Sequence, residues 1–148
     1  MNEQAHDAEK VAETIAQLAA AEKREAIAAF LGMRLESLTP GFARVVMPVQ
    51  PEYLNFHGTV FGGIIMSVAD QAFAYAANSL SYPSVAAQFN LHFLSSVGEG
   101  DELVAECRVL RSGRRVGVSE ITVTSKAGKL VAKATATTIP VEAREEQP

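Results

Sequence analysis

The sequence predicts one α+β domain. Its 148 residues are 48% hydrophobic and 20% charged, a length and balance that can bury a single core and that exclude a disordered chain. One long run, from the glycine pair Gly62-Gly63 to Leu80, is apolar on nearly every helical face. After it the chain consists of period-two segments separated by short glycine-bearing turns. One enclosed helix followed by an antiparallel sheet is an α+β layer arrangement.

The elements follow in chain order. Residues 7–31 carry helical spacing, first through Val11, Ile15 and Leu18 and then through Ile27, Phe30 and Leu31. The charged cluster Glu22-Lys23-Arg24-Glu25 is a break point between two helices, and Gly32 is the stop. Strands are expected from Met33 to Leu38 and from Phe42 to Val49, joined by the turn Thr39-Pro40-Gly41. Ala43, Val45, Met47 and Val49 share one face of the second. An irregular stretch from Gln50 to Phe61 precedes the long helix. Only Ser67, Asp70, Gln71 and Asn78 interrupt that helix's apolar surface before its last turn, so it is expected to be wrapped on all sides.

Four strands then follow. Val85 to Val97 alternates Val85, Ala87, Phe89, Leu91 and Phe93 against Gln88, Asn90 and His92. Leu103 to Leu110, Val116 to Ser125 and Leu130 to Ile139 complete the set. Short turns at Gly98-Glu99-Gly100-Asp101, Arg111-Ser112-Gly113-Arg114 and Lys126-Ala127-Gly128-Lys129 predict an antiparallel meander. The chain divides into an N-terminal helical extension (1–31), the domain proper (32–140) and a polar tail (141–148). A sheet wrapped around one long helix is the hotdog fold.

Composition excludes several function classes. A net charge of −4 leaves no basic footprint for nucleic acid. No run approaches the roughly 20 apolar residues of a membrane span. The acidic start MNEQAHDAEK is not a secretory signal, so the expected location is the cytoplasm. A single cysteine, Cys107, forms no internal disulfide and no cysteine-built zinc site. No two histidines stand at ligand spacing, so neither a catalytic metal nor a cofactor is expected.

Asp70 is the strongest candidate for chemistry. A carboxylate inside an apolar helix is costly to bury. Either it is structural, bonded to backbone or to a basic partner, or it is a nucleophile or general base held in a cleft. Gly58, Gly62 and Gly63 lie at the helix start, where free N–H groups and the positive end of the dipole can polarise a carbonyl. The alternative is a tight loop needing positive φ. The segment GTVFGG lacks the lysine of a phosphate loop. Asn55 and His57 are either turn and surface residues or groups that position a water or a thioester. Ser67 and Ser79 lack a nucleophile elbow. Arg111, Arg114 and Arg115 cluster at a hairpin, either as a solvated turn or as a contact for the phosphates of a bulky ligand.

The stretch from Asn55 through His57, Gly58, Gly62 and Gly63 to Ser67, Ala69 and Asp70, leading into Ala72-Phe73-Ala74-Tyr75-Ala76-Ala77-Asn78-Ser79, resembles the phenylacetate-degradation (PaaI-type) acyl-CoA thioesterases. The likeness covers roughly residues 30–140. It implies a hotdog enzyme that hydrolyses acyl-CoA to free acid and CoA. Asp70 falls on the family's catalytic carboxylate and Gly62 on the glycine whose N–H polarises the thioester carbonyl. Asn55 falls on the loop asparagine that places the water or carbonyl. The family has histidine where this chain has Phe61, which makes His57 the candidate substitute. Ala86 and Ala87 stand where some relatives carry serine or threonine. Phe61, Gly63, Met66 and Arg114 are the expected substrate contacts.

Gly62 and Asp70 are eight residues apart, about 12 Å along a helix. A reacting carbonyl must lie near 3 Å from both donor and attacking group. If both act, they come from different chains, in a homodimer with two shared active sites. The resemblance implies the same side-by-side dimer, often doubled to a dimer of dimers. The expected substrates are aryl- or medium-chain acyl-CoA thioesters. A hotdog dehydratase pairing His57 with Asp70 on CoA or carrier-protein esters is the rival enzyme. A non-catalytic acyl-CoA sensor is the rival of another class; residues 1–31 are short and acidic for the DNA-binding or partner domain such a protein carries.

Overall fold

The computed structural model describes residues 3–142; most of the polar tail, 143–148, lies outside them. Two helices, α1 (Glu3–Glu22) and α2 (Ala26–Leu31), are separated at the expected charged cluster. α2 ends at Gly32, and the N–H groups of Gly32 and Met33 return to the carbonyls of Ala29 and Ala28. Then come β1 (Arg34–Thr39), β2 (Phe42–Pro48), a 3₁₀ turn (Pro51–Tyr53), α3 (Gly62–Asn78), β3 (Ser84–Phe93), β4 (Glu102–Ser112), β5 (Gly117–Ser125) and β6 (Leu130–Pro140).

All six strands form one antiparallel sheet in the order β1-β2-β4-β5-β6-β3. α3 lies on its concave face, chiefly against β4, β2 and β5. The core is built from α3's Val68, Ala69, Ala72, Phe73 and Ala76 against Val45, Met47, Leu103, Ile121 and Val131. This is the hotdog arrangement.

Three expectations are corrected. First, β3 and β4 do not form a hairpin. Both edges of β4 are taken, one by β2 (Phe42↔Arg108 to Pro48↔Glu102) and the other by β5. β3 therefore pairs with the free edge of β6. The chain between β3 and β4 crosses the end of the sheet, held by Leu94 N–H to Val131 O (2.8 Å) and Val60 N–H to Val97 O (2.9 Å). Second, the alternation of β3 breaks at Ala87. The register shifts between Ala86↔Thr138 and Gln88↔Thr137, leaving Ala87 as an extra residue. Beyond it Phe89 and Leu91 pack on the core, while Val85 turns outward and is 46% exposed. Third, α3 is not wrapped on all sides within one chain. Gly63, Met66, Asp70 and Ala74 form an exposed stripe along it.

Candidate active site

The loop before α3 is built on Asn55. Its Oδ1 accepts from His57 N–H (2.9 Å), Thr59 N–H (3.3 Å) and Thr59 Oγ1 (3.3 Å). Its backbone N–H donates to Thr59 O (2.8 Å), and Gly58 closes the turn at a φ of 76°, a conformation that favours glycine. The side-chain oxygen of Asn55 is thus committed to its own loop. His57 stands at the exposed tip, its ring 4.1 Å from that of Phe56, which is 93% exposed. The base of the loop is tied down by Phe61 N–H to Tyr53 O (2.8 Å) and Tyr53 OH to Leu31 O (2.8 Å).

α3 begins without a capping side chain at Phe61. The Phe61 carbonyl accepts from Ile64 and Ile65, and among the described residues no acceptor meets the N–H of Gly62 or Gly63. Two free donors at the positive end of a 17-residue helix form a site for developing negative charge. Both glycines lie directly against aromatic rings. A Cβ on Gly62 would stand 3.0 Å from the Phe93 ring, and one on Gly63 would stand 2.8 Å from the Phe61 ring. Phe61 therefore covers the helix start with a ring that neither donates nor accepts a conventional hydrogen bond.

Asp70 lies two turns further along, in a hollow of about 460 Å³ between α3 and β3. Gly63, Met66 and Ser67 line it from the helix, and Ala86, Gln88 and Phe89 line it from the strand. The carboxylate is open to solvent on one side but walled by apolar groups, and that desolvation raises its pKa above the ordinary aspartate value. It takes no hydrogen bond and no ion pair from any described residue. The partner that a structural aspartate would need is missing from this set.

One chain thus brings Asp70, Gly63 and Met66 together. Gly62, Asn55 and His57 lie at or before the start of α3 and do not line that hollow. Arg114 sits on the β4–β5 hairpin and does not line it either. Among the described residues no group of three His, Cys, Asp or Glu could hold a metal ion, and no helix is long and apolar enough to cross a membrane.

Sequence reasoning did not bring Glu25 to the helix. Its carboxylate accepts from Gln71 Nε2 and Tyr75 OH, both at 2.7 Å, and so joins the extension to α3 one residue past Asp70. The only prior signal was Gln71 itself, an amide in an apolar helix, and nothing local named its partner. Gln88 joins the Asp70 hollow only through the placement of β3, which no local signal states, whereas Ser67 stands three residues before Asp70 on the same helix, a spacing that puts the two on one face.

The family model described as the thioesterase superfamily matches residues 57–132. The acyl-coenzyme A thioesterase PaaI of Escherichia coli is 38% identical over 110 residues, which cover 74% of this chain and 79% of that protein. The solved structure of the E. coli PaaI protein superposes with a TM-score of 0.82 at 33% identity, covering 93% of this chain and 96% of the other. A Streptococcus mutans protein solved bound to acetyl CoA superposes with a TM-score of 0.72 at 30% identity, covering 76% and 91%.

Proposed function

Because the chain belongs to the thioesterase superfamily, we propose that it is a cytoplasmic enzyme hydrolysing aryl- or medium-chain acyl-CoA to free acid and CoA. The observation that carries this reading is Asp70, a carboxylate without a partner among the described residues, set in a hollow beside a helix whose first N–H groups are free. The Gly62 N–H polarises the thioester carbonyl and stabilises the oxyanion of the tetrahedral intermediate. Asp70 supplies the attack in one of two ways. As nucleophile it forms an acyl anhydride and releases CoA thiolate, and water then cleaves the anhydride to acid. As general base it takes a proton from water, whose oxygen adds to the carbonyl before CoA leaves. Asn55 shapes the loop that carries His57, the substitute for the polar contact absent at Phe61. Gly63, Met66 and Phe61 contact the acyl thioester, and Arg114 meets the CoA phosphates.

Gly62 and Asp70 share one helix, so the rise of about 12 Å between them bars a single chain from using both on one carbonyl. Each site is therefore shared across a two-fold axis. The open stripe on α3 and the edge position of β3 support this, since each is a surface that a second copy of the chain can cover. The homodimer pairs further into a dimer of dimers. A panel of acyl-CoA thioesters read by thiol release, with Asp70→Asn alongside, tests the reading. Binding without turnover, or hydration of a 2-enoyl-CoA in place of thiol release, would overturn it.

A further inference from the structure

Two phenylalanines stand at the start of α3 and take no part in the core. Phe61 and Phe93 are each more than half exposed, and neither belongs to the buried cluster or packs against it. Among the described residues neither ring pairs with another aromatic ring. Both turn an edge toward the glycine pair. From the Cβ position of Gly62 the nearest atoms are Phe93 Cζ, Cε1 and Cε2, at 3.0, 3.2 and 3.6 Å. From that of Gly63 they are Phe61 Cε1, Cδ1 and Cζ, at 2.8, 3.2 and 3.9 Å. An amide nitrogen and the Cβ of its own residue are about 2.5 Å apart, so each ring edge lies within roughly 5.5 Å of a free N–H donor.

This placement bears on any carbonyl that uses the donors. An oxygen accepting from Gly62 N–H comes to about 2.9 Å from the nitrogen. The atoms bonded to its carbonyl carbon are then within reach of the Phe93 ring. In an acyl-CoA thioester these are the sulfur on one side and the first acyl carbon on the other. The pantetheine arm behind the sulfur carries amide groups, and an amide drawn from water against a bare ring is left unpaired. The acyl carbons carry no such group and gain by leaving water. The ring therefore suits the acyl side. In a site shared between two copies, the second copy must leave room for the thioester at this N–H, so the rings beside the donor border the substrate.

We propose that Phe93 is a specificity-determining residue. Its ring receives the acyl carbons next to the thioester carbonyl and favours flat aryl groups over saturated chains, because two aromatic rings pack edge-to-face or offset with a gain beyond the area they bury. The inference rests on the thioesterase reading. It narrows the substrate class to aryl-CoA thioesters and draws a residue of β3 into the acyl contact.

The test measures kcat/KM for benzoyl-CoA, octanoyl-CoA and acetyl-CoA in wild type and three variants, each checked for native circular dichroism and Tm. Wild type should prefer benzoyl-CoA to the other two. Phe93→Ala removes the ring and should lower the benzoyl-to-acetyl ratio at least tenfold, the scale of one lost apolar pocket contact. Phe93→Leu keeps apolar bulk and loses the flat ring. It should lower the benzoyl-to-octanoyl ratio several-fold while the octanoyl-to-acetyl ratio holds, and it carries the test if Phe93→Ala does not fold. Leu94→Ala truncates a neighbour that is likewise more than half exposed and is absent from the atoms nearest Gly62. It should leave every ratio unmoved, which separates the ring's contact from a general loss of apolar surface. Ratios unmoved by the Phe93 variants, or moved equally by Leu94→Ala, overturn this inference and leave the thioesterase reading standing. A wild type that prefers octanoyl-CoA or acetyl-CoA does the same. Failure of wild type to hydrolyse any thioester overturns both.

Discussion

The ring of Phe93, on β3, lies over the Cα of Gly62, the first residue of α3. A Cβ built on Gly62 would stand 3.0 Å from the ring's Cζ and 3.2 Å from Cε1. The glycine thus does two separable things: it presents an N–H and it leaves room for a ring.

Two substitutions separate these roles. Gly62→Ala keeps the N–H and displaces Phe93, which is 57% exposed and free to swing aside; a loss of a few-fold in kcat is expected. Gly62→Pro adds the same Cβ and two further ring carbons turned back onto the nitrogen, suits the first position of a helix and removes the donor. Its kcat should fall by roughly 10²–10³, the scale for one oxyanion donor. Equal losses in both variants would assign the effect to the ring and remove the donor from the mechanism.

Asp70→Asn should lower kcat by about 10² or more while the fold survives. Wild-type activity should rise with pH through a carboxylate pKa displaced above the ordinary aspartate range, because both proposed roles, nucleophile and general base, need the ionised form and burial disfavours it. The sign for stability is the reverse. The protonated side chain carries no desolvated charge, whereas the ionised one does. Wild type should therefore lose stability relative to Asp70→Asn as pH rises through the elevated folded-state value, and the two should converge below the unfolded-state value. Thermal unfolding across pH reads this out; a variant less stable than wild type at neutral pH would contradict it.

Shared active sites predict rescue. Asp70→Ala and Gly62→Pro homodimers should each be inactive. In a mixed dimer one site carries both defects and the other carries neither. With free subunit exchange about half the dimers are mixed, so activity should recover to about a quarter of wild type. Verified mixed dimers without recovery would rule out the shared site, given that Gly62→Pro alone stays a folded dimer.

His57→Ala should cost roughly tenfold in kcat, the loss of one positioned polar contact. The residue stands on a loop shaped by Asn55, its ring tilted 44° against that of Phe56, with no role in the core of its own chain. A rate equal to wild type would reduce it to a loop-tip residue.

Cys107 is fully buried, and burial pushes its thiol up to about 12. The native enzyme should therefore react with a disulfide reagent only after denaturation. Prompt labelling of one thiol per chain under native conditions would show that β4 opens on the assay timescale.

The elements themselves were legible in the sequence because each carries its own period, from the stripe of Ala43, Val45, Met47 and Val49 on β2 to the apolar length of α3. The pairing of β3 was not. Alternation states that a segment is a strand but not which edge it joins, and the place beside β4 was already held by β2, some sixty positions earlier in the chain. Ala87 carries no signal as a bulge, since an alanine fits either face. Asp70 stood out by its chemistry, an acid among apolar residues. The hollow around it required the placement of β3 to be known, and the clamp from Glu25 to Gln71 and Tyr75 links positions 46 and 50 residues apart.

The pairing of β2 with β4 also bears on the order in which the molecule can assemble. Everything from Val49 to Asp101, including α3 and β3, lies inside the loop that this pairing closes. The β4–β5 and β5–β6 hairpins close over short turns at small entropic cost, whereas the long loop must lose conformational freedom across its whole length before its contacts form. The helix that carries Asp70 packs on β2 and β4 together. Its seat is thus complete only once the most distant register in the sheet has been found, and the nascent chain cannot finish the surroundings of α3 before residue 112 has left the ribosome.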